Sequence, residues 1–240
     1  MHRCIVILCV CLGSITASAR KPSPYPHHLQ RFNHPLQPLK QETNHRRAAK
    51  AILKDKICCQ DKRYPTFLKA LELMNERKVR TLVETGTARS GVSGCEGDGC
   101  STIVWDLWAA LHQAHFYSVD SDAQALETAS AGLQTQGSAS TFVHADSVAF
   151  LHDFGRPIDF LYLDSYDFDP NDPDPSQQHH LNEIIAAYPW LHEKSIVMLD
   201  DCALPFGGKG KLAIAFLEEK GWKILQSGYQ VILSNTIPEK

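Results

Sequence analysis

From Arg80 onward, short runs of apolar residues alternate with longer segments whose apolar positions recur every three or four residues. The runs at Thr81–Glu84, Phe116–Asp120, Thr141–His144, Ile158–Asp164 and Ser195–Asp200 are continuously apolar and brief, the pattern of strands buried on both faces. Between them, Ser101–Gln113, Asp122–Gln134, Ser147–His152 and Gln177–Tyr188 carry helical spacing. Strand and helix in alternation predict a parallel sheet with helices on both faces. A further helix over Lys211–Lys220 leads to two strands, Trp222–Gln226 and Tyr229–Ser234, separated only by Ser227-Gly228. So short a connection makes a hairpin, so a sheet that is otherwise mostly parallel ends in an antiparallel last strand.

Upstream, helical spacing is expected over Asn44–Cys58 and Tyr64–Lys78; Phe67, Leu68, Leu71 and Met74 of the second are read as capping one edge of the core. Residues 20–43 are rich in Pro and His without apolar periodicity and read as a flexible arm. Met1-His2-Arg3, an apolar run from Cys4 to Ile15 and Ala17-Ser18-Ala19 have the anatomy of a signal peptide over residues 1–19. Cleavage after Ala19 would place the protein outside the cytoplasm, with no stable membrane span left; an uncleaved N-terminal anchor is the alternative. The expected organisation is thus a leader (1–19), an arm (20–43), N-terminal helices packing on the domain (44–79) and an α/β domain (80–240).

Net charge is -3, with the basic excess confined to Arg20–Arg63. That excess reads as a solvated leader rather than a nucleic-acid surface. Tyr162, Tyr166 and Phe168 are flanked by no basic patch, so no nucleic-acid partner is expected. Cys58, Cys59, Cys95, Cys100 and Cys202 lie beyond the leader, an odd number that leaves one thiol unpaired in a monomer. Cys95 and Cys100 flank a glycine-rich stretch and can close a small disulfide, or can be ordinary loop or core cysteines. No paired Cys or His spacing completes a zinc set.

Candidate chemistry lies where the strands end. Glu84, Asp120, Asp146, Asp164 and the pair Asp200-Asp201 follow successive strands, and ligands of open α/β sheets bind outside those ends. After Glu84, the turn Thr85-Gly86-Thr87 allows close backbone approach, and a helix N-terminus with free N–H groups follows at Ser101. A carboxylate at that mouth repels a pyrophosphate and suits an amine or a positive centre, which favours S-adenosylmethionine over a dinucleotide. The dinucleotide motif GxGxxG is absent.

Leu82-Val83-Glu84-Thr85-Gly86-Thr87, Tyr117-Ser118-Val119-Asp120, His144-Ala145-Asp146-Ser147 and Leu161-Tyr162-Leu163-Asp164 resemble the successive motifs of class I S-adenosylmethionine-dependent methyltransferases. The resemblance covers roughly residues 80–234 and implies a Rossmann-like seven-stranded sheet. It implies that Glu84 and Gly86 line the methionine end of S-adenosyl-L-methionine, that Asp120 holds the ribose, and that Asp146 and Ser147 frame the adenine, with Ser101 also among the cofactor-binding residues. The Gly91–Cys100 stretch lengthens the glycine loop beyond the usual family pattern.

Asp164, Asp200 and Asp201 end adjacent strands and should converge, which requires a proton or a cation among them. The arrangement is similar to metal-dependent O-methyltransferases and cephalosporin-hydroxylase-like methyltransferases, implying Mg²⁺ or Mn²⁺ held by Asp164, Asp200 and Asp201. The lysine base of catechol-type enzymes is replaced here by Asp167. His180, with His179 beside it, is the candidate proton acceptor alongside Asp164, and Lys209 in Gly207-Gly208-Lys209-Gly210 is another. The acidic, proline-rich stretch Asp167–Pro175 reads as a rigid rim beside the site. The expected function is O-methylation of a small molecule or glycan, with a divalent metal as an optional aid. A secreted binding protein that reuses the fold without catalysis is the alternative.

Overall fold

The computed structural model describes residues 43–134 and 140–236; the expected leader and nearly all of the expected arm lie outside them. The sheet starts with β1 (Thr81–Thr85), followed in chain order by β2 (His115–Asp120), β3 (Thr141–His144), β4 (Ile158–Leu163), β5 (Leu191–Leu199), β6 (Lys223–Ser227) and β7 (Val231–Ser234). In space the order is β3-β2-β1-β4-β5-β7-β6. β1 to β5 pair in parallel with one another, and β7 runs antiparallel to both β5 and β6. This is the expected Rossmann-like sheet with a reversed last strand. The hairpin connection is one residue longer than read, Gly228-Tyr229-Gln230, and it carries a tyrosine to the site.

Strand side chains alternate between two cores, as the period of two requires. Leu82, Phe160, Tyr162, Ile196, Met198 and Ile232 face one side; Val83, Leu161, Leu163, Val197, Leu199 and Leu233 face the other. The first face is covered by α1 (Asn44–Leu53), α2 (Tyr64–Arg77) and α4 (Ser101–His112), with α5 (Ala123–Gln134) beside them near β2 and β3. The second is covered by α6 (Ser147–His152), α7 (Asp174–Ala187) and α8 (Lys211–Glu219).

α2 covers the β5–β7–β6 edge of the sheet, and it also reaches the core beneath β4: Phe67, fully buried, stacks on Trp105 of α4 at 4.8 Å and tilts against Tyr162 of β4. One expectation is corrected. The glycine stretch after β1 is not an open loop, since Gly91–Asp98 forms a helix, α3. Its glycines disfavour a helix, but three features hold it. Cys95 and Cys100 are joined by a disulfide, the Ser90 N–H donates to Asp98, and Val92 packs where a side chain at Gly132 of α5 would sit.

Truncating the ring that joins α2, α4 and β4 should therefore be costly. Phe67→Ala is expected to lower unfolding free energy by about 3–5 kcal/mol in urea denaturation. A change under about 1 kcal/mol would show that α2 is peripheral to the core.

Candidate functional site

The sheet order reverses between β1 and β4, which opens a crevice at the carboxyl ends of the strands. A cleft of about 380 Å³ lies there, lined by residues from the loops after β1, β2, β3, β4 and β5. That volume is in the range of small-molecule sites. Of the sequence-expected residues, Gly86, Ser101, Asp120, Asp146, Ser147, Asp164, Asp200 and Asp201 line it.

Gly86 is indispensable to the cleft floor. Its φ is +86°, and a Cβ there would stand 2.5 Å from the Asp164 carbonyl oxygen, so the β1 turn lies directly against the end of β4. Asp120 fixes the next segment: one carboxylate oxygen accepts from the Thr87 N–H at 2.8 Å and the other from the Asp122 N–H at 2.8 Å. Asp146 caps α6, accepting from the Ala149 N–H at 2.8 Å, and Ser147 begins that helix.

Glu84 is placed differently from the expectation. It is fully buried and does not line the cleft. One of its oxygens accepts from the hydroxyls of Thr102, at 2.8 Å, and Ser118, at 2.9 Å, while Oε1 has no partner among the described residues. Thr102 in turn accepts from the Ala88 N–H at 2.9 Å. Glu84 therefore ties α4, β2 and the glycine turn together from beneath. Burial pushes its carboxyl up to about 7, against the pull of the Ser101, Thr102 and Ser118 hydroxyls.

His180 is likewise outside the cleft. It is fully buried, its Nδ1 lies 2.9 Å from the Ser176 carbonyl oxygen, and burial lowers its pKa. The neighbouring His179 is the one that lines the cleft. Its Nε2 meets the Ser147 hydroxyl at 3.1 Å and buried Glu183 at 3.5 Å. The Glu183 hydrogen bond raises the His179 pKa; burial opposes ionisation of Glu183, yet the two histidines hold that carboxyl down at about 2. One residue, about 100° around the helix, separates an imidazole facing the cleft from one in the core.

At the other end of the cleft the three aspartates converge as expected, but the cation among them is a lysine. Lys209 Nζ lies 2.9 Å from Asp164 Oδ1 and 3.1 Å from Asp201 Oδ2, and it donates to the Ser165 carbonyl at 3.4 Å. Its side chain is 4% exposed. The glycines beside it deliver it there. A Cβ at Gly208 would fall 1.9 Å from the Asp201 carbonyl oxygen, and one at Gly210 would fall 2.6 Å from Cys202 Sγ. The loop must fold flat onto the end of β5, which turns Lys209 inward. Among the described residues no group of three acids, histidines or cysteines is disposed to hold a metal ion. The expected Mg²⁺ or Mn²⁺ site at Asp164, Asp200 and Asp201 does not fit, because an ammonium already stands between two of its ligands.

Sequence reasoning missed Arg63. The loop before α2 brings it into the cleft, where its Nε is 3.8 Å from Asp200 Oδ2 and it packs beneath Gly99. Lys62 and Arg63 both sit over the ring of Tyr229, whose hydroxyl donates to Asp201. No local pattern marks this arginine; its place is set by the packing of α2. Across the mouth, Arg89 after β1 pairs with Asp167 after β4 at 2.9 Å, so the acidic rim is anchored to the glycine turn.

No protein-family model matches the sequence, and no curated protein does. Solved structures share the fold. The SAH-bound methyltransferase PaMTH1 of Podospora anserina aligns with a TM-score of 0.52 at 11% identity, over 78% of this chain and 93% of that one. NSun6 from Pyrococcus horikoshii with SFG gives 0.53 at 13%, over 67% of this chain and 49% of that chain. The MycE methyltransferase of mycinamycin biosynthesis, in complex with Mg, SAH and mycinamycin VI, gives 0.53 at 12%, over 81% and 54%. The chain thus spans about half the length of two of these relatives. The fold is that of the class I S-adenosylmethionine-dependent methyltransferases.

The state of Glu84 gives the protein a measurable pH signature. A carboxyl raised from 4.5 to about 7 on folding favours the native state while protonated, fully below pH 4.5, and this contribution is lost as pH rises through 7. Relative to Glu84→Gln, the protein should lose about 3 kcal/mol of stability between those limits. Parallel urea curves for the two proteins across that range would refute this assignment.

Proposed function

We propose that this protein is an S-adenosylmethionine-dependent methyltransferase that methylates an oxygen of a small molecule or glycan. The observation that carries the reading is the order of groups along one crevice. Gly86, Asp120 and the Asp146-Ser147 pair follow β1, β2 and β3 in spatial sequence from the switch point outward. When bound, S-adenosylmethionine supplies a methyl group activated by its sulfonium.

The residues fit that cofactor. The Gly86 turn has no side chain to hold a ligand off, and Ser101 opens α4 with N-terminal N–H groups at the cleft wall. Asp120 keeps one hydrogen bond on each oxygen and has lone pairs to spare for ribose hydroxyls. Asp146 and Ser147 close the outer end, where an adenine edge would meet them. Asp164, Asp201 and Lys209 lie at the opposite end, where the acceptor would enter. Holding the two reactants in line in a dry cleft is the main source of acceleration for such a displacement.

An oxygen acceptor is supported by the character of that end: carboxylates and an ammonium rather than an apolar wall. Tyr166 and Phe206, both largely exposed and both at positive φ, stand on the loops after β4 and β5. They offer aromatic faces against which a sugar or aromatic ring would rest.

Isothermal titration with S-adenosylhomocysteine should show one site per chain. Asp120→Ala, with its fold verified by circular dichroism, should weaken binding roughly tenfold to hundredfold, the value of hydrogen bonds to a charged group. Absence of binding by folded wild-type protein would remove the methyltransferase reading.

A further inference from the structure

We infer that Lys209 takes the place of a divalent ion in this cleft, and that it leaves a single carboxylate oxygen, Asp164 Oδ2, free to take the proton of the acceptor. Three aspartates bring six carboxylate oxygens to the ends of β4 and β5. Two accept from the Lys209 ammonium, Asp164 Oδ1 and Asp201 Oδ2. Asp200 Oδ2 accepts from the Tyr162 hydroxyl at 2.6 Å, and Asp200 Oδ1 from the Asp201 N–H at 2.7 Å. Asp201 Oδ1 accepts from the Tyr229 hydroxyl. Among the described residues only Asp164 Oδ2 is left without a donor.

The ammonium is used up as completely as the carboxylates. An ammonium has three donors, and Lys209 meets three oxygens: those of Asp164, Asp201 and the Ser165 carbonyl. It has no proton left for a substrate, so it acts through Asp164, as a positioning residue. A metal ion in the same place would coordinate the acceptor oxygen directly and lower its pKa. Here the fixed charge orients Asp164, and the acceptor hydroxyl would hydrogen-bond to its free oxygen. As the new O–C bond forms and the S–C bond breaks, the hydroxyl proton passes to Asp164 Oδ2, and the sulfonium becomes a neutral thioether. Atoms and charge balance without a metal.

The catalytic part rests on the methyltransferase reading; the replacement of a metal by Lys209 does not. The test uses the full-length protein, with Mn²⁺ followed by electron paramagnetic resonance and S-adenosylhomocysteine by calorimetry. Wild-type protein should leave the free Mn²⁺ signal unchanged, and its affinity for S-adenosylhomocysteine should be the same with and without EDTA. Lys209→Ala opens space amid three carboxylates and should bind Mn²⁺ at one per chain under conditions in which wild type leaves the free signal unchanged. Lys209→Ala/Asp164→Asn should lose that gain. Stoichiometric Mn²⁺ binding by wild type that Asp164→Asn abolishes would overturn the inference. So would a Lys209→Ala protein that still binds S-adenosylhomocysteine but takes no Mn²⁺. Should Lys209→Ala fail to fold, the wild-type Mn²⁺ measurement decides by itself. Failure of wild type to bind S-adenosylhomocysteine would strike the methyltransferase reading and leave the Mn²⁺ result standing.

Discussion

Three carboxylates gathered at the end of one crevice require a proton or a cation among them, and much of this cleft's architecture answers that constraint. The crowding follows from the sheet. Leu163 and Leu199 are paired in register on parallel neighbours, so the residues after them, Asp164 and Asp200, emerge side by side. Asp201 follows in a left-handed conformation. The charge that satisfies them arrives from a loop whose glycines let it lie flat on the end of β5. Tyr162, from the core below, Tyr229, from the final hairpin, and the Asp201 N–H supply further donors. The same acids hold Lys209 firmly protonated, above its ordinary value, although burial alone would drive it the other way.

The fold was largely legible because its determinants are local. Apolar runs mark strands, and a parallel sheet necessarily places the residues that end them along one edge. This is why Gly86, Asp120, Asp146 and Asp164 could be named from sequence and line one crevice. What the pattern cannot show is depth. Glu84 ends its strand as Asp120 does, yet it points under the turn because Thr102 and Ser118 offer it hydroxyls there. His179 and His180 differ by one position on a helix, and only packing decides which reaches the cleft. Lys209 lies 45 residues from Asp164; its flanking glycines signal a sharp bend without revealing where the bend leads.

The N-terminal helices contribute more than cover. α2 fills the core beneath β4 through Phe67, and the loop before it sends Lys62 and Arg63 over Tyr229 toward Asp200. Thr66, in the first turn of the same helix, hydrogen-bonds to Gln230 beside that tyrosine. The Asp200–Asp201 end of the cleft is therefore built jointly by the first helices and the last hairpin of the described chain, segments distant in sequence that meet only in the folded state.

The short helix α3 forms part of the cleft wall through Gly97 and Asp98. Its two interior glycines, Gly94 and Gly97, disfavour helix by about 1 kcal/mol each. The Cys95–Cys100 bridge closes a loop only five residues in separation, and chain entropy assigns so small a loop about 2 kcal/mol. These two terms nearly cancel. The order of the wall thus rests on the bridge together with the Ser90–Asp98 hydrogen bond and the packing of Val92 on α5. A thiol-reducing milieu would remove one of the three restraints on this wall, so the redox state of the surroundings bears on the cleft itself.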